Sequence, residues 1–145
     1  MKLSEHFSLE ELTITSVRAD NTPPQDLIAA LTDTAHRMED IRNLLDGKPI
    51  HINSGYRSKH VNEIVGGAVN SAHMTGHAVD FICPAFGTPL QVCLAISHSG
   101  IEFDQLIEEG QWVHISFAIP MRRQVLTKAG AAFAAGLKPQ ETANA

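Results

Sequence analysis

The apolar positions of this chain form one long helical stripe and several short alternating runs. Leu27, Ile28, Leu31, Ala35, Met38, Ile41 and Leu45 recur at three- and four-residue intervals. That is the apolar face of a helix packed on one side, and it predicts the longest helix over about 24–45. Pro24 suits its first turn, where a missing N–H costs nothing, and Asp46-Gly47-Lys48-Pro49 stops it. Ser8 with Glu11 three residues on is a capping box that starts a short helix, pinned by Phe7 and Leu12. Thr88 before Pro89 starts another over about 89–97, with Leu90, Val92, Cys93 and Ile96 available for burial. A third short helix over about 59–65 ends at Gly66-Gly67.

Strands are predicted over about 50–53, 78–82, 103–108 and 111–117, with a last one near 124–127. In the second of these, period two puts Ala78 and Asp80 on one face and Val79 and Phe81 on the other. In the fourth, Trp112 and His114 oppose Val113, Ile115 and Phe117, and Glu109-Gly110 before it reads as a hairpin turn. Helices first and a largely antiparallel sheet after them is an α+β order, with helices on one sheet face and the other face left for a site. Past Lys128 the chain turns to Ala, Gly and polar residues. The expectation is a single domain over 1–128 and a partly disordered tail over 129–145, frayed from Lys138.

A chain of 145 residues that is 43% hydrophobic can bury a core without staples. The net charge of −5 and the scattered placement of 11 basic residues, with Arg122-Arg123 the one basic run, exclude a phosphate-binding surface, so no nucleic-acid partner is expected. Cys83 and Cys93 lack CxxC spacing and read as buried small hydrophobes. The start has no apolar signal region and no run approaches a membrane span. A monomer made in the cytoplasm, without an export signal and without membrane insertion, is expected.

The chemistry concentrates in Ser71-Ala72-His73-Met74-Thr75-Gly76-His77-Ala78-Val79-Asp80. An imidazole and a carboxylate stand seven positions apart, and the glycine between them lets the backbone turn so both reach one ion. His114 supplies a third ligand. A His-Asp-His set leaves a fourth position open on zinc, where structural sites are closed by four protein ligands. His77 is expected to be exposed, and His6, His36, His51, His60 and His98 show no partner pattern.

Ser71-x-His73-x-x-Gly76-x-Ala78-x-Asp80, followed by Trp112-Val113-His114, resembles the peptidase M15 family of zinc D-Ala-D-Ala carboxypeptidases and endopeptidases, with the hedgehog/DD-peptidase fold. The resemblance extends to Ile52-Asn53-Ser54-Gly55-Tyr56-Arg57-Ser58, Asn62, Gly66-Gly67 and Phe103-Asp104-Gln105-Leu106-Ile107. The segments 4–12 and 20–24 look like the compact branch common in bacteriophages and prophages.

The resemblance implies one zinc ion held by His73, Asp80 and His114. It places Arg57 near the reacting carbonyl and Ser71 close to substrate; Trp112, on the His114 face by period two, is expected to wall the cleft, and Tyr56 and Gln111 are further expected substrate contacts. It also implies cleavage beside D-amino acids in the stem peptides of peptidoglycan, outside the membrane. One position departs from the pattern: many members carry an acid three residues before the last histidine, and here that residue is Gln111, which cannot take a proton. Glu109 is the first alternative as general base and Glu108 the second. If neither serves, the chain reads as a weakly active or non-catalytic cell-wall-binding or virion module.

Overall fold

The period-two runs pair into one sheet. In the computed structural model, which describes residues 1–139, six strands take the order β1-β2-β4-β3-β5-β6. They are β1 (His51–Ser54), β2 (Ala78–Ile82), β3 (Gln105–Glu108), β4 (Val113–Ser116), β5 (Gln124–Ala129) and β6 (Ala132–Ala135). All neighbours are antiparallel except β3 and β5, which run parallel. Four helices accompany them: α1 (Leu9–Leu12), α2 (Ile28–Leu44), α3 (Lys59–Ile64) and α4 (Pro89–Ser97). The architecture is α+β, and no helix among the described residues is long and apolar enough to cross a membrane.

Both predicted caps form. The Ser8 hydroxyl accepts from the Glu11 N–H in a complete capping box, and Thr88 does the same with Gln91. The long helix begins later than its stripe suggests. Gln25–Leu27 is a 3-10 turn with no side-chain cap, and regular α geometry starts at Ile28. Tightening into a 3-10 turn is how an uncapped end satisfies its orphan groups.

One sheet face is apolar. Val79 and Phe81 of β2, Leu106 of β3, and Val113 and Ile115 of β4 are buried in one core with Leu31, Ala35, Met38 and Ile41 of α2 and Val92, Cys93 and Ile96 of α4. Each large side chain removed from water there contributes about 1.5–3 kcal/mol. Asp80 and His114 occupy the opposite face because they alternate with these apolar residues.

Two differences from the predicted elements bear on the site. Glu108 pairs with Val113, so the β3–β4 connection holds four residues rather than two; Glu109 N donates to Trp112 O (3.0 Å), with Gly110 at φ 96°. Gln111 and Trp112 therefore leave the strand. The sheet also continues past residue 128, since β5 reaches Ala129 and β6 pairs with it. The Ala-rich β6 carries no β-branched signal. Backbone pairing holds it instead, aided by buried Thr127, whose hydroxyl donates to Gly136 O (2.7 Å) and accepts from Lys138 N (3.1 Å). The expected frayed end falls, for 140–145, outside the described residues.

Candidate metal centre

His73 sits on a 3-10 turn, Ala72–Thr75, whose first N–H groups need a partner. The Ser71 hydroxyl supplies one by accepting from His73 N at 3.1 Å. The turn closes through Gly76 at φ 79°, a left-handed conformation that favours glycine. A Cβ there would stand 3.2 Å from Leu31 Cγ, and the Gly76 carbonyl accepts from Thr34 Oγ1 of α2 at 2.7 Å. The long helix, read from its stripe as core alone, thus also clamps the motif turn. Asp80 and His114 are direct register partners on β2 and β4, which puts both side chains on the same sheet face.

The His73 Nδ1 lies 2.7 Å from the Gly55 carbonyl oxygen. A carbonyl only accepts, so Nδ1 carries the proton and the Nε2 lone pair faces the site. Nε2 is 3.2 Å from Asp80 Oδ1, and His114 Nδ1 is 2.9 Å from the same oxygen. The three donor atoms lie within 4.8 Å of one another. Around a zinc ion with bonds of about 2.0–2.1 Å, tetrahedral geometry separates ligand atoms by about 3.3 Å. The two observed separations are near that edge, and two imidazoles with one carboxylate are a zinc-type donor set, so the residues fit the ion.

The electrostatics agree. Burial lowers the His73 pKa and keeps its ring neutral, as a ligand requires. Burial works to raise that of Asp80, but hydrogen bonds to His114 and His73 outweigh it and hold the carboxyl well below the usual carboxylate range.

Around this core lies a layer of backbone and side-chain contacts. Arg57 donates from Nη2 to Asp80 Oδ2 (3.2 Å), from Nε to Ser54 Oγ (3.1 Å) and from Nη1 to Asn62 Oδ1 (3.4 Å). Its backbone N–H meets the His73 carbonyl at 3.0 Å. The same turn runs so close to α1 that a Cβ on Gly55 would collide with the Leu12 carbonyl. Tyr56 N donates to that carbonyl at 2.7 Å. Asn21 binds the turn from the other side: Nδ2 donates to Thr13 O and Tyr56 O, both at 2.9 Å, and Oδ1 accepts from Ser58 N at 2.7 Å. Neither Asn21 nor Thr34 is marked in the sequence, because an Asn shortly before two prolines and a Thr on a helix carry no signal of their distant partners.

The centre opens into a cleft of about 640 Å³. Arg57, Ser71, Trp112 and Glu109 line it beside the three donors. Two expected substrate contacts lie elsewhere. Tyr56 is buried in the core, and exposed Gln111 borders a different groove with Cys83, Pro84 and Val92. His77 is half-buried, with Nδ1 2.8 Å from Thr75 Oγ1, where exposure was expected.

A family profile described as Peptidase M15 matches residues 5–116, about three-quarters of the chain, including every residue of the trio and Arg57. The chain belongs to the peptidase M15 family. It is also similar to a zinc D-Ala-D-Ala carboxypeptidase of Streptomyces albus G, 47% identical over 47 residues, which are 32% of this chain and 18% of that protein.

In this M15 chain, sheet alternation separates the two candidate bases. Ile107 and Glu109 face the cleft, whereas Glu108 is buried on the helix side, close enough to Cys93 to raise its thiol pKa beyond what burial does. Glu108 also accepts from Gly110 N and so holds the connecting loop. Burial raises the Glu109 pKa above the ordinary carboxylate value, helped by Asp80 and Glu108 and opposed by His114 and Lys128, whose Nζ is 3.8 Å from Oε2. A carboxylate so tuned is suited to taking and returning a proton.

Proposed function

We propose that this chain is a zinc-dependent peptidase that hydrolyses a peptide bond beside a D-amino acid in peptidoglycan stem peptides. The observation that carries the reading is the convergence of His73, Asp80 and His114 in a cleft that Glu109 also lines; the further carboxylate there, Asp104, is paired with Arg122. The activity of the Streptomyces albus G relative supports the substrate class, and the M15 membership supports the reaction.

His73, Asp80 and His114 would hold a zinc ion, which would supply Lewis acidity for the scissile carbonyl and the attacking water. Glu109 accepts the proton of the attacking water and passes it to the leaving amine. Arg57 carries five N–H donors, of which three are engaged by Ser54, Asn62 and Asp80, so two remain to meet the carbonyl oxygen as it gains negative charge. Ser71 and Trp112 wall the cleft and orient the peptide.

The test is release of D-alanine from a peptide ending in D-Ala-D-Ala, together with clearing of purified cell walls. Activity should vanish with chelator and return with zinc. Glu109→Gln should lower kcat by about 10²–10⁴-fold with zinc content unchanged. Zinc binding with no hydrolysis of any stem peptide by the wild-type chain would leave the module reading in its place.

A further inference from the structure

Asp80, His114, Ile107 and Leu126 are successive register partners across β2, β4, β3 and β5, so the cleft floor is one cross-strand row that continues beyond the metal residues. At about 4.8 Å per strand, Leu126 lies about 10 Å from His114, the reach of about three residues of extended peptide. Lys128 follows on the same face of β5 and pairs with Phe133 of β6. All three side chains line the cleft. They belong to a hairpin outside the family match over residues 5–116, so the shared chemistry and this wall come from different parts of the chain.

We propose that the β5–β6 hairpin is the specificity wall of this cleft, with Lys128 and Phe133 receiving a carboxylate-bearing substrate residue about three positions from the scissile bond. The inference deepens the peptidase reading and rests on it for the scissile bond.

The charges point to Lys128. Arg57 is engaged by three protein groups, and Arg122 is clamped in a two-pronged pair with Asp104 at 2.6 and 3.0 Å. Among the described residues Lys128 has one long ion pair, 3.8 Å to Glu109, and its side chain is 40% exposed. It can swing to a second carboxylate while remaining near the first. A chain of net charge −5 repels an acidic peptide overall, so a local cation is what makes an acidic residue acceptable in this cleft. Phe133 is 52% exposed on a strand otherwise made of alanine, and it offers an aromatic face to cover the aliphatic part of the same residue.

The probes are two pentapeptides ending in D-Ala-D-Ala, one with glutamate and one with glutamine three residues before the scissile bond. Each is also made with that bond reduced to a methyleneamine, which cannot be hydrolysed. Calorimetric titration of the zinc-loaded protein should show the reduced glutamate peptide binding about tenfold more tightly than the glutamine one. Lys128→Met should abolish that preference and Lys128→Arg should keep it. Phe133→Ala should weaken both peptides alike, and backbone amide shifts on binding should reach residues 126–133.

Equal affinity of the wild type for the two reduced peptides, a preference that survives Lys128→Met, or no binding of either peptide would overturn the proposal. Turnover of the unreduced peptides by the wild type decides the peptidase reading separately. Absent hydrolysis of these and every other stem peptide with the binding preference intact would refute that reading and leave the wall standing.

Discussion

Asn21 provides a measurable link between the fold and the metal residues. Its side chain makes three hydrogen bonds to backbone groups of Thr13, Tyr56 and Ser58, and the residue is only 9% exposed. Asn21→Ala removes all three. At about 1 kcal/mol net for each bond, the loss is about 3 kcal/mol, more where an abandoned carbonyl or N–H finds no water. For a chain of this length that lowers Tm by about 6–12 °C.

Asn21→Asp is the sharper control. It keeps the acceptor for Ser58 N but turns a donor into a carboxylate oxygen facing two carbonyls. At neutral pH it should therefore be at least as destabilising as alanine despite its nearly identical shape. Its penalty should shrink in acid, as the carboxyl gains a proton it can donate.

Because the turn held by Asn21 carries Gly55 O and Arg57, zinc affinity should also fall, by about tenfold, in competition with a chelator. Urea denaturation of the two variants and wild type across pH is the assay. A destabilisation under about 1 kcal/mol for Asn21→Ala, or an Asp variant as stable as wild type at pH 7, would show that the turn does not depend on these bonds.

Gly76→Ala places a side chain at φ 79° against Leu31 and should cost about 1–3 kcal/mol in denaturant midpoint together with weaker zinc binding, whereas the same change at open Gly100 should be near neutral. Asp104 has its pKa lowered by hydrogen bonds from Arg122, so its pairing stabilises the fold above the ordinary carboxylate pKa of about 3.9 and is lost as pH falls through the depressed value. Asp104→Asn should remove that acid-side fraction of the pH–stability profile, by no more than about 1 kcal/mol because Arg122 is half exposed. Glu108→Gln should lower stability through the loop it holds and leave kcat nearly unchanged, opposite to Glu109→Gln, as paired melts and kinetics would reveal.

Local periodicity was enough for much of this molecule. The α2 stripe, the Ser8 and Thr88 caps and the alternation in β2 and β4 depend on residues within a few positions of each other, where 3.6- and 2-residue repeats and cap chemistry act. The candidate metal trio was legible for the same reason: His73 and Asp80 share one short motif around a turning glycine, and His114 declares its face through its apolar neighbours.

What those rules could not reach was set by contacts between distant segments. The pairing register of β3 with β4 set which of Glu108 and Glu109 faces the cleft, and a four-residue connection instead of two carried Gln111 into another groove. Tyr56 went to the core because α1 docks on its turn. The parallel β3–β5 pair, the Ala-rich β6 and the grip of Asn21 and Thr34 each depend on a partner far along the chain. Side-chain type and spacing choose the ligands within a segment, but register, loop length and burial choose what surrounds them. Those are properties of the packed chain, in which every buried polar group must find a partner.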